Sequence, residues 1–224
     1  MSSQPAPAAK GHAAPGLAYN MAGITVLLLL LAVGAAYLID ELGRQTRAPV
    51  PALTDGNPIT QTIAGRELAI PTSWFRYGEQ LRDGFTNQID LQVMFTASDG
   101  AALPVNVTLL PRSRVRTSAS LLDRVYVHQF TGATLGGVAG LVGKPMRDEN
   151  GYAGESVWYD ALSPNPFVAK CLAAADGAGS EQCVRTVYLP SGMAVVYAFD
   201  ATALQSWRQF DGEMAQWLSR IGAN

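Results

Sequence analysis

Cys171 and Cys183 are the two cysteines of the chain, and their placement carries more chemistry than any other pair. They stand at the inner ends of two expected neighbouring strands, joined by the segment AAADGAGSEQ (173–182). The base of an antiparallel hairpin brings two Cα atoms to about 5.5 Å, within reach of a disulfide. A bridge closing so short a loop stabilises by roughly 3 kcal/mol, by restricting the unfolded chain. The competing reading is a pair of buried thiols in a reduced compartment. No Cys-x-x-Cys spacing exists, which argues against a redox-active pair.

Arg112, Arg114 and Arg116 alternate in PRSRVR. On an extended chain the three guanidinium groups share one face and can meet a phosphate, a lipid headgroup or an acidic partner. The alternative is a solvated edge strand whose charges block edge pairing. Arg124 follows on the next expected helix. Trp74 and Phe75, just after Pro71, form a candidate aromatic contact; the alternative is a plug at the end of a sheet.

Catalytic signatures are missing. His128 is the only histidine in the C-terminal part, and no Gly-x-Ser-x-Gly elbow accompanies it. The run from Gly140 to Pro145 has a phosphate-loop look but puts Val138 where a glycine is due and Pro145 where Ser or Thr would hold magnesium. Asp148-Glu149 sits in a turn-like stretch, and Asn106-Val107-Thr108, a glycosylation pattern, falls inside an expected strand. Two cysteines and two histidines are too few for a usual zinc or iron–sulfur site. The residues therefore point to no catalytic group, no metal and no cofactor.

Composition narrows the class further. The 224 residues are 48% hydrophobic and only 15% charged, the reverse of a disordered chain. A formal charge of −2 argues against nucleic acid held on a broad basic surface. The charge deficit is concentrated in residues 11–39, where no side chain is formally charged. Within it Met21–Ile39 is almost wholly apolar. As a helix at 1.5 Å per residue it covers roughly 28 Å, close to the ~30 Å hydrocarbon layer of a bilayer. Tyr37 suits the interface. A buried core helix would show a polar face. A cleavable secretory signal is the other rival, with Val33-Gly34-Ala35 or Gly34-Ala35-Ala36 as the small-residue site. The long, weakly charged tail and the length of the run favour a retained anchor. Lys10 lies on one flank and Arg44 and Arg47 on the other, so charge alone does not orient the span. The expected disulfide does, placing the C-terminal part outside the cytoplasm.

The positioning elements follow. Residues 1–20 read as a disordered tail, 21–39 as a transmembrane helix, 40–58 as a proline-bearing stalk and 59–224 as one α+β domain with an antiparallel sheet flanked by helices. Strands are expected over Ile63–Ile70, Ile89–Phe95, Val105–Leu109, Gly154–Tyr159, Phe167–Leu172, Cys183–Leu189 and Met193–Phe199, from period-2 alternation and flanking turn residues. Ser120-Leu121-Leu122-Asp123 has a capping-box pattern opening a short helix. After Asp200, a natural N-cap, Leu204, Trp207, Phe210, Met214, Trp217 or Leu218, and Ile221 recur at helical steps and predict a core-facing helix.

Several segments, IAGRELAIPTSWFRYGEQLRDGF, VTLLPRSRVRTSASLLD, GLVGKP, VWYDALSPNPFVAKC and RTVYLPSGMAVVYAFDA among them, resemble a family of uncharacterised single-pass membrane proteins of alphaproteobacteria. The resemblance implies an inner-membrane protein with a periplasmic domain and no catalytic role. The layout, an Ile-Pro-x-x-Trp strand at the start and a long C-terminal helix at the end, is similar to Mog1/PsbP-like α/β sandwiches. The expectation is thus a non-catalytic binding or scaffold module of the envelope. It would be held to the lipid bilayer by residues 21–39 and would meet an envelope protein or an anionic headgroup. Two alternatives stay open: a ligand carrier or enzyme using a sheet–helix cleft, and an accessory subunit with an exposed apolar patch.

Overall fold

The computed structural model of the protein describes residues 24, 25, 27–35, 58–174 and 179–224. The chain divides into two units, Met1–Ala48 and Pro49–Asn224. In the first, the described residues are helical with exposed side chains. No helix among the described residues is long and apolar enough to cross a membrane. The two ends of the expected span 21–39, its residue 26, the expected tail 1–20 and residues 40–57 of the expected stalk lie outside the described residues.

Pro58, expected as the last stalk residue, instead opens the first strand. β1 (Pro58–Ile63) and β2 (Arg66–Pro71) form a hairpin about Ala64-Gly65. Both turn residues have positive φ, 51° and 77°, the geometry whose twist matches the flanking strands. A single strand over Ile63–Ile70 was the expectation. The glycine, free to enter the left-handed region, folds that segment back on itself. The two-residue β3 (Gly84–Phe85) adds to β1 in parallel.

The larger sheet is antiparallel throughout. Its strands are β4 (Ile89–Thr96), β5 (Ala102–Pro111), β6 (Val142–Pro145), β7 (Glu155–Tyr159), β8 (Val168–Leu172), β9 (Gln182–Tyr188) and β10 (Met193–Asp200). Their spatial order is β4-β5-β10-β9-β8-β7-β6. Six of these strands match expected ones to within a few residues. β6 lies within the run from Gly140 to Pro145, where no strand was expected. Its Gly143 lies opposite Trp158, and a Cβ there would fall 2.7 Å from the indole ring.

Alternation gives the sheet two faces. Val93, Phe95, Val105, Val107, Leu109, Cys171, Cys183, Val195, Tyr197 and Phe199 turn to the main core. Onto them packs α2 (Trp207–Arg220), through Phe210, Met214, Trp217 and Leu218. Phe210 is the hub, with its ring centroid 4.6 Å from that of Phe199, 5.1 Å from Phe95 and 5.5 Å from Tyr197. Asp200 does cap, but the turn it opens is the 3-10 segment Ala201–Ser206 ahead of α2; its carboxylate accepts the Thr202 N–H at 2.9 Å.

On the opposite face α1 (Ser118–Arg124) covers a smaller core of Leu122, Tyr126, Met146, Val157 and Val168. Its cap is Thr117, which accepts the Ser120 N–H at 3.2 Å, three residues earlier than the capping box predicts. The chain then tightens into a 3-10 turn, Tyr126–Gln129. The expected α+β class with an antiparallel sheet holds for the second unit.

Candidate functional site: an opening between two strands

β8 and β9 are bonded at one end and parted at the other. Cys171 and Cys183 face each other in register and form the expected disulfide. Their Cα atoms are 3.9 Å apart, closer than the 5.5 Å expected, because they occupy a pair whose own N–H and C=O groups point away from each other. Both are fully buried.

The ladder ends at Lys170–Val184. Continued in register, it would set Val168 against Thr186 and Pro166 against Tyr188. Proline has no N–H to give, so the last pair cannot form fully. Side chains take over the pair before it. The Thr186 N–H donates to Ser118 Oγ at 2.9 Å, and the Val168 carbonyl accepts Arg185 Nη1 at 3.2 Å. The two backbone groups that would have met are each satisfied elsewhere, as buried backbone polar groups must be.

Arg185 fills the gap from the main-core side. Its Nε and Nη2 donate to the two carboxylate oxygens of Asp211 on α2, at 2.9 and 2.5 Å, a bidentate pairing. Its guanidinium lies 4.3 Å from the Phe167 ring centroid. The side chain of Arg185 is 7% exposed and that of Asp211 51%, so one partner is buried and the other wet. The strand's alternation held a signal for this residue. Cys183, Arg185, Val187 and Leu189 share one parity, and an arginine among them needs a buried acid or carbonyl.

A cavity of about 440 Å³ occupies the opening and reaches both faces, from Thr117 and Ala119 at α1 to Asp211 and Ala215 on α2. Tyr197 lies in its wall. Burial, then the Asp211 charge, raise its phenol well above the ordinary value despite Arg185, so the hydroxyl keeps its proton. His128 is exposed on its own 3-10 turn and does not line the cavity.

The arginine strip lies next to this opening. It is not an extended strand. β5 ends at Pro111, the chain leaves the ladder, and Arg112–Arg114 coil into a 3-10 turn. The three arginines nevertheless line one depression of about 420 Å³, together with Ser113, Val115 and Tyr188. Arg112 stacks 4.2 Å above the Tyr188 ring, and the Tyr188 hydroxyl donates to the Val115 carbonyl at 2.9 Å. Arg114 donates to the Asn87 carbonyl at 3.3 Å, while Arg116 has no partner among the described residues. No carboxylate lines the depression. Tyr188 also borders the cavity, so the two concavities share a wall.

Trp74 and Phe75 do not contribute. They are 0% and 7% exposed, Trp74 packing edge-on to Trp217 at 4.9 Å, so neither offers surface to a partner and the contact role expected of them is corrected. The short 3-10 turn after Pro71 drives both side chains into the core.

No protein-family model and no curated protein matches the chain. Among solved structures it is similar to an immunity protein of the Stenotrophomonas maltophilia type IV secretion system. The identity is 10%, the TM-score is 0.48, and the match covers 77% of this chain and 98% of that one. A likeness at that level does not bear on function.

Proposed function

We propose that the protein is a non-catalytic module of a bacterial cell envelope, anchored in the inner membrane by residues 21–39, whose periplasmic domain binds an anionic partner. The apolar length of Met21–Ile39 supports the anchor. The Cys171–Cys183 bridge supports an oxidising compartment. One observation carries the binding role: Arg112, Arg114 and Arg116 converge on a depression that contains no acid. Clustered guanidinium groups without internal counter-charges are matched by carboxylates or phosphates from outside.

The test uses the full chain in zwitterionic micelles, with polyglutamate and phosphatidylglycerol as probes. Binding of either should weaken with salt and fall several-fold in the double variant Arg114→Ala/Arg116→Ala, which leaves the Arg112–Tyr188 stack intact. Binding unaffected by the double variant, or no binding at all, overturns the reading. Thiol labelling of intact cells tests the compartment: label at Cys171 and Cys183 that needs reductant but not lysis supports it, and free thiols reached only after lysis reverse it.

The cavity between β8 and β9 favours a second reading, a small-ligand carrier, because about 440 Å³ falls within the ~300–1,000 Å³ of known ligand sites. Each nitrogen of Arg185 is already committed to Asp211 or Val168, however, so the one guanidinium in its wall is not free to hold a ligand.

A further inference from the structure

We propose that the open edge of β9 receives a short, extended, acidic peptide as an added strand; this rests on the anionic-partner reading and names the class of that partner. The register fixes which backbone groups face the opening. The Leu189 N–H bonds the Met193 carbonyl, and the Thr186 N–H bonds Ser118. Odd residues of β9 therefore face β10, and even ones face β8 up to Val184 and the opening beyond it. Tyr188 is the even residue beyond Thr186. Opposite it, where β8 would continue, stands Pro166, and no hydrogen bond joins the two. The Tyr188 N–H and C=O are thus a donor and an acceptor at ladder spacing, without partners among the described residues and bordering the cavity.

A peptide backbone supplies both complements. A phosphatidylglycerol headgroup or free phosphate can neutralise arginines but offers no N–H to the Tyr188 carbonyl. In strand addition, main-chain bonds hold the segment and alternate side chains choose it. Here the depression beyond the same tyrosine makes that choice by charge, since Arg114 and Arg116 are exposed within it. Acidic side chains at every second position match such a wall.

The experiment titrates the full chain in zwitterionic micelles with eight-residue peptides alternating Glu with Val or Thr, and with the same peptides N-methylated on either alternate set of amides. Strand addition predicts that one set of N-methyl groups weakens binding about tenfold or more while the other set changes it little, because only one set faces β9. It also predicts that Arg114→Ala/Arg116→Ala weakens binding of the unmethylated peptide and flattens its dependence on salt. If both methylated sets bind alike but the double variant still weakens binding, strand addition is overturned and the anionic reading survives. Strand addition also falls, and the anionic reading stands, if phosphatidylglycerol binds and the peptides do not. If no anionic probe binds, both fall.

Discussion

The strands β8 and β9 are joined covalently at Cys171–Cys183, and three residues further along each of them they are held apart at Val168 and Thr186. Both ends belong to one strand pair with one register, so the difference is a difference of side chains. At the closed end two small cysteines share a buried face and the ladder runs on both sides of them. At the open end Pro166 withdraws a donor, and Arg185 and Ser118 supply the hydrogen bonds the missing neighbour would have made. The first parted pair of a sheet can stay bonded when side chains with the right hydrogen-bonding capacity replace the missing neighbour; Tyr188, the next residue facing the opening, has no such substitute among the described residues. The opening then stands on rigid elements, α1 on one face and α2 on the other.

The largest expected effect comes from breaking the open end. Arg185→Ala removes the partner of the Val168 carbonyl and the cation over Phe167, and leaves a void between β9 and α2. Stability should fall by about 3 kcal/mol or more in chemical denaturation. Pairing Arg185→Met with Asp211→Ala should restore a good part of the loss, because no lone charge then remains. If Arg185→Ala costs no more than an exposed ion pair, under about 1 kcal/mol, the opening is not organised by this side chain.

The closed end comes next. Reducing the bridge, or replacing both cysteines by alanine, should cost about 2–3 kcal/mol for a link between residues 12 apart. The loss should appear as a lower denaturation midpoint, with Arg185 and Asp211 still paired. A larger loss here than at Arg185 would invert the ranking of the two ends.

The two ends also differed in how far they could be read from residues alone. The closed end was legible because strand alternation is local and two cysteines allow one pairing. The strands around it and the helix α2 were legible for the same reason, with Phe210, Met214 and Leu218 at helical steps. The open end depends on what fails to pair. Pro166 before β8 and Arg185 on the buried parity of β9 are visible in the sequence, but each gains its meaning only when the other strand is set beside it. PRSRVR shows the same limit. Its alternation predicts one face of a strand, yet no neighbouring strand continues past Pro111 to keep it extended. The arginines converge instead by coiling around Tyr188. Trp74 and Phe75 were ambiguous between contact and plug, and the turn at Thr72–Trp74 decides for the plug.

A smaller effect isolates one hydrogen bond of the opening. Ser118→Ala strips the Thr186 N–H of its acceptor, and an unpaired buried donor costs about 1–2 kcal/mol. Amide hydrogen exchange should locate the change. The Thr186 amide should lose protection while that of Val184, still facing Lys170, keeps its own. Equal loss at both amides would mean that the ladder itself loosens and that Ser118 is no substitute for a strand.

The smallest expected effect belongs to the closed end and depends on pH. Asp200 lies opposite Gln182, one pair beyond the disulfide. Burial works against its charge, but hydrogen bonds from Ser180 and from the Thr202 backbone and hydroxyl outweigh that and hold its pKa below the ordinary carboxylate value. A group whose pKa is lower in the folded chain contributes fully above its unfolded pKa of about 3.9 and loses that contribution as pH falls through the folded value. The window therefore lies from about pH 4 downward. A cap of this kind is worth about 1 kcal/mol, so the acid-limb loss of stability should be no larger. Asp200→Asn keeps an acceptor for the Thr202 N–H and should flatten that limb while changing neutral-pH stability little. The comparison between the ends requires that the Ser118→Ala chain keep the same acid limb as the parent. A limb that disappears with Ser118 would show that the two ends of the strand pair do not behave as independent structures.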